Sequence, residues 1–172
     1  MAISYRSVQG DAAMAFELTS TSFKHEHEVP QSCTCEGEDL SPPLSWSGAP
    51  GQTQSFALIV DDPDAPDPAH PKLTWVHWLV YNIPAGARAL DEHATAATLP
   101  PGAREGLNDW KNAEYGGPCP PIGRHRYYFK LFALDTVLPD LNKPDRATLE
   151  EAMKGHVLAQ ATLMGTYAKK QP

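Results

Sequence analysis

Three short stretches of this sequence place ionisable groups beside residues that stiffen the backbone. The first is Asp61-Asp62-Pro63-Asp64-Ala65-Pro66, with three carboxylates in four positions at the end of an apolar run and prolines holding the chain around them. It reads either as a solvated acidic turn or as a turn in which one aspartate points inward, to orient a histidine or to accept a hydrogen bond from a ligand. The second is Trp75-Val76-His77-Trp78. Strand alternation puts His77 on the face opposite Val76 and Trp78, a half-buried imidazole that either bonds a backbone carbonyl or serves a ligand. The third is Gly123-Arg124-His125-Arg126-Tyr127. A period of two puts His125 and Tyr127 on one side and the two arginines on the other, where at least one would be a solvated strand-start charge.

These residues must be positioned by strands. Ala15–Thr19 alternates, with Phe16 and Leu18 on one face, and Ser55–Asp62, Trp75–Asn82 and Tyr127–Asp135 are apolar runs rich in β-formers. Turn-rich pieces separate them. The segment 104–123, containing Tyr115-Gly116-Gly117-Pro118-Cys119-Pro120-Pro121, is a long irregular stretch of the kind that carries function. One helix is expected late in the chain. Thr148 would cap it with Glu151 three residues on, Met153, Val157, Ala161 and Met164 would share its buried face, and Gly165 would end it. The helices that parallel βαβ units require between strands are absent, so a mainly β, antiparallel sandwich is predicted.

Composition agrees. The chain has 172 residues, the length of one domain over 1–172, and 17 prolines where average usage gives about 9. The formal net charge of −7 argues against nucleic-acid binding. No stretch is apolar enough for a signal-peptide core or a membrane span, so a cytoplasmic location without membrane insertion is expected. The odd cysteine count (Cys33, Cys35, Cys119) then suggests reduced thiols. Cys33 and Cys35 do not have the spacing of a zinc knuckle, and no metal or other cofactor is expected.

Taken in order, DDPDAP, the His77 strand and GGPCPP-x-G-x-HRY resemble the phosphatidylethanolamine-binding proteins, in particular their bacterial, Raf kinase inhibitor-like branch. The resemblance extends to Cys35-x-Gly37-Glu38-Asp39-Leu40-Ser41-Pro42-Pro43-Leu44-Ser45-Trp46, to Asn82-Ile83-Pro84-Ala85, and to Gly155-His156 and Gly165-Thr166-Tyr167, almost the whole chain. It implies a Greek-key β-sandwich of antiparallel sheets with a few peripheral helices. It also implies an anion pocket formed by Asp62, Asp64, His77, His125 and Tyr127, with a rim at Gly117, Cys119 and Pro120. The ligand it implies is phosphate, a phosphorylated small molecule or a phospholipid headgroup. Inhibition of a kinase or protease partner and homodimer formation, through the exposed aromatics Trp75 or Trp110, are further implications. Some relatives carry two adjacent histidines on the middle strand, whereas Val76 precedes His77 here and leaves one ring donor fewer.

The alternative is an enzyme, a small-molecule hydrolase or metal-dependent catalyst using Asp62, His77 and His125 as base and ligands. No G-x-S-x-G elbow or H-E-x-x-H motif supports it, and the family resemblance implies binding rather than catalysis.

Overall fold

A computed structural model describes residues 15–170. Eight strands form two antiparallel sheets: β1 (Glu17–Thr19), β2 (Leu44–Ser47) and β5 (Ala89–Leu90) make the small one, in the order β1-β2-β5. The large sheet has the order β6-β4-β3-β7-β8, from β3 (Ser55–Ala65), β4 (Leu73–Pro84), β6 (Arg104–Glu105), β7 (His125–Leu134) and β8 (Val157–Tyr167). Because β7 returns to lie beside β3 after the β3–β4–β6 run, the spatial order is that of a Greek key.

The apolar run of β3 is continuous because both faces of the strand are covered. Phe56, Leu58 and Val60 pack with Leu18, Leu44, Trp46 and Leu90 of the small sheet. Ala57 and Ile59 face outward, into a second cluster completed by Leu149 and Met153 of the one α-helix among the described residues, α1 (Arg146–Met153). Each large side chain fully buried this way contributes roughly 1.5–3 kcal/mol. In β7 the period of two is strict: Tyr127, Phe129 and Leu131 enter the inter-sheet core, and Arg126, Tyr128 and Lys130 face outward.

Two expectations from the sequence are corrected. The late helix is only eight residues long and is capped by Asp145, whose Oδ1 accepts the Thr148 N–H at 2.9 Å, not by Thr148. Gly155, at φ +82°, turns the chain, and Val157, Ala161 and Met164 lie in β8 rather than on a helix. The thiols are not all reduced: Cys35 and Cys119 form a disulfide, and Cys33 is a buried free thiol. The expected cytoplasmic location thereby loses one of its supports, since disulfides persist mainly in oxidising compartments. The Ala65–Pro66 bond is cis.

Candidate functional site

The key residues converge at one end of the large sheet. The end of β3 supplies Asp62, the start of β4 supplies His77, and the start of β7 supplies His125 and Tyr127. Register explains His77. Val60 pairs with Trp78 but Asp61 pairs with Val76, so His77 is one extra residue of β4 with no partner of its own on β3, a β-bulge. Simple alternation therefore fails there. Val76 packs in the outer cluster, whereas His77 and Trp78 both turn toward the Tyr127 side. The bulge re-aims the imidazole into a cavity of about 600 Å³ that Asp62, His125 and Tyr127 also line.

All four side chains are nearly inaccessible, with 3% exposure for Asp62 and His77, 1% for Tyr127 and 0% for His125. The His77 ring meets the Tyr127 ring edge to face at 5.2 Å, and His125 stacks on Tyr127 at 6.3 Å. Both nitrogens of the His125 ring are engaged, Nδ1 with Asp62 Oδ2 at 2.6 Å and Nε2 with the Ile122 carbonyl at 2.9 Å. The other Asp62 oxygen accepts the Asp64 N–H at 2.7 Å. His125 thus gives order to the cavity wall rather than a free donor. Both of its nitrogens are engaged within the protein, and among the described residues no cluster of three potential metal ligands exists.

His77 Nδ1 donates to the Gly116 carbonyl at 2.7 Å, which fixes the tautomer and leaves Nε2 as an acceptor. Burial pushes the His77 pKa below its ordinary 6.5, against the opposing pull of the Gly116 bond and of Asp62. The unfolded chain therefore binds more protons than the folded one just below that value, and stability rises with pH there. The expected result is a drop in unfolding free energy as pH is lowered from about 6.5 toward about 5, which His77→Gln flattens in urea titrations run at each pH. The buried Tyr127 hydroxyl has no partner among the described residues, and burial with the nearby Asp62 and Asp64 charges keeps it protonated as a donor.

The roof of the cavity is the long loop, and it is tied down. Asn108 organises it, accepting from the N–H groups of Trp110 (2.9 Å) and Asn112 (3.1 Å) and donating to the Glu114 carbonyl. Asp109 joins the loop to β4 through Val76, and the Gly116 N–H bonds the His77 carbonyl at 3.0 Å. Tyr115 donates to Cys33 O, and the Cys35–Cys119 bridge fastens the rim. At Gly117 a Cβ would collide with the Cys33 carbonyl and Asp39 Oδ1, so the chain needs glycine there. Of the rim residues, Gly117 spends its N–H on Asp39 at 2.9 Å, Pro118 and Pro120 have none, and Cys119 keeps one without an acceptor among the described residues.

Of the residues singled out in the sequence, Asp62, His77, Gly117, Cys119, Pro120, His125 and Tyr127 all line the cavity. Asp64 does not. It turns outward to Arg126, which donates through Nε at 3.0 Å, Nη2 at 2.8 Å and its backbone N–H at 2.9 Å, and these bonds pull the Asp64 pKa below its usual value. Sequence reasoning missed Asp39, Asn108 and Glu114 as lining residues and gave Trp75 and Trp110 only an interface role, whereas both line the cavity. A second, more open hollow of about 670 Å³ on the outer face holds Arg126, Lys130 and Arg146. Its cations are matched by Asp64, Asp61 and Glu150, which leaves no excess charge to attract an anion.

Comparison with known proteins places this geometry in context. A family model described as phosphatidylethanolamine-binding protein matches residues 19–168. A UPF0098 protein of Methanothermobacter thermautotrophicus is 47% identical over 156 residues, covering 88% of this chain and 98% of that one. The crystal structure of a putative phosphatidylethanolamine-binding protein homologue from Chlamydia trachomatis superposes with a TM-score of 0.83 at 42% identity, over 91% of this chain and 99% of that one. YbcL of Escherichia coli, described as a member of the mammalian family, gives 0.82 at 37% identity, over 90% of this chain and 99% of its own.

Proposed function

Since the chain belongs to the phosphatidylethanolamine-binding protein family, we propose that it is a binding protein whose cavity holds a phosphate-sized anion, free or as a phosphorylated headgroup. One observation carries this reading. Tyr127, in the wall of the cavity, has a fully buried hydroxyl with no partner among the described residues. An orphaned buried donor costs about 1–3 kcal/mol, a cost that a bound acceptor removes. The unpartnered Cys119 N–H on the rim is a second donor for the same oxyanion, and Lys72 at the mouth adds positive charge. The mostly apolar wall around Trp75, Trp110 and Pro66 excludes water and strengthens these bonds.

Tyr127→Phe tests the reading cleanly. The ring and its packing on His77 and His125 remain, and only the orphan hydroxyl is lost. Stability should stay within about 0.5 kcal/mol of the parent or rise, while affinity for inorganic phosphate falls about tenfold, as expected for a hydrogen bond to a charged group. Calorimetric titration gives the affinity. Equal affinities in the two proteins would exclude this role for the cavity.

A further inference from the structure

The pattern of donors and acceptors in the cavity bears on which anions fit, an inference that rests on the anion reading above. A fully ionised oxyanion presents only lone pairs. It is well met by the Tyr127 hydroxyl and the Cys119 N–H. It is badly met by His77, whose Nδ1–H is committed to Gly116 O at 2.7 Å and whose Nε2 therefore offers a lone pair, with no protein partner among the described residues. His125 cannot compensate, because both of its nitrogens are taken. An anion can satisfy Nε2 while accepting from Tyr127 and Cys119 only if it brings a hydrogen-bond donor of its own, in the simplest case an acidic O–H. The other route is to protonate His77, which desolvation opposes.

We infer that the cavity selects oxyanions still carrying one proton, namely phosphate and phosphomonoesters, over sulfate and phosphodiesters, with His77 Nε2 as the residue that reads the proton. The charged groups around His77 are arranged consistently with this. From β3 comes Asp62, already paired with His125 of β7. From the roof come Asp109, which accepts from Val76 N, and Glu114, and from the rim Asp39, which accepts from Gly117. Lys72, ahead of β4, stands in the cavity wall. None of them bonds Nε2. The carboxylates Asp39, Asp62 and Glu114 also disfavour a dianion relative to a monoanion carrying a proton.

The test is a titration panel on the wild-type protein at about pH 7, where a phosphomonoester still has a protonated fraction and sulfate does not. The probes are inorganic phosphate, methyl phosphate, dimethyl phosphate and sulfate, with short-chain phosphatidic acid as a lipid monoester. Phosphate, methyl phosphate and phosphatidic acid should bind, while sulfate and dimethyl phosphate bind at least about tenfold more weakly, the effect of leaving a buried acceptor unpaired. Tighter binding of phosphatidic acid than of inorganic phosphate would identify a lipid source, and the reverse a free one; either order keeps the monoester class. His77→Gln, whose amide can turn an N–H toward the ligand, should bring sulfate to within about threefold of phosphate. If wild-type protein binds sulfate or dimethyl phosphate as tightly as methyl phosphate, the proton-reading role is wrong and the anion site still stands. If no probe binds at all, the site itself is refuted.

Discussion

Reducing the Cys35–Cys119 bridge is expected to lower the unfolding free energy by about 4–5 kcal/mol. The bridge joins residues 84 apart in sequence, and closing a loop of that length removes roughly this much conformational freedom from the unfolded chain. Nothing nearby replaces it. The rim and the segment around Cys33 share the Cys35 N–H bond to Pro118 O at 3.1 Å and the Gly117 bond to Asp39, but hydrogen bonds of this kind each give about 1 kcal/mol. Cys33 does not provide a substitute pairing, because burial pushes its pKa up to about 11 and keeps it a thiol. Urea unfolding with and without a reductant, repeated on a Cys35→Ser/Cys119→Ser double variant, measures the effect. Because Cys119 lines the cavity, phosphate affinity should fall along with stability. A change below about 1 kcal/mol in both preparations would mean that the loop is held by its other contacts.

The second large effect is expected at Asp62. Its two oxygens serve the His125 ring at 2.6 Å and the Asp64 N–H at 2.7 Å, all within a region closed to solvent. Asp62→Ala leaves a buried imidazole and a buried amide without acceptors, and removing one member of a buried pair typically costs about 3–5 kcal/mol. Asp62→Asn keeps an oxygen for one of the two donors and should cost less, about 1–3 kcal/mol. Denaturant unfolding gives both values. The order Ala worse than Asn is the discriminating result, and equal, small losses would show that His125 is held by the Ile122 carbonyl alone. In each variant phosphate binding should weaken, because His125 supports the wall on which Tyr127 stacks.

How much of this could be read from the sequence differs from residue to residue. Period two along β7 correctly set His125 and Tyr127 apart from the arginines, because β7 is regular over this stretch and one face is buried. The same rule failed one strand away. The bulge at His77 is a property of the β3–β4 register, and nothing local in Trp75-Val76-His77-Trp78 announces it. The late helix was overextended because a spacing of four fits both periodicities. Val157 and Ala161 suit a helical face and equally a strand in which 161, 163, 165 and 167 are buried. The Gly155 turn and the threonines at 162 and 166 were the signals against a longer helix. The family resemblance puts Asp64 in the pocket with Asp62, yet Arg126, on the outward face of β7, draws it away. Cys35 and Cys119 are too far apart in sequence for spacing to pair them, and only the fold brings their Cα atoms to 5.4 Å. Asn108, a buried loop organiser, carries no sequence motif that marks it.

Whether Tyr127 and His77 face one ligand oxyanion is decided by a crystal grown in inorganic phosphate. A tetrahedral anion is expected in the cavity, within hydrogen-bond distance of Tyr127 Oη, the Cys119 N–H and His77 Nε2. A cavity holding only water, with phosphate bound instead among Arg126, Lys130 and Arg146 on the outer face, would contradict it.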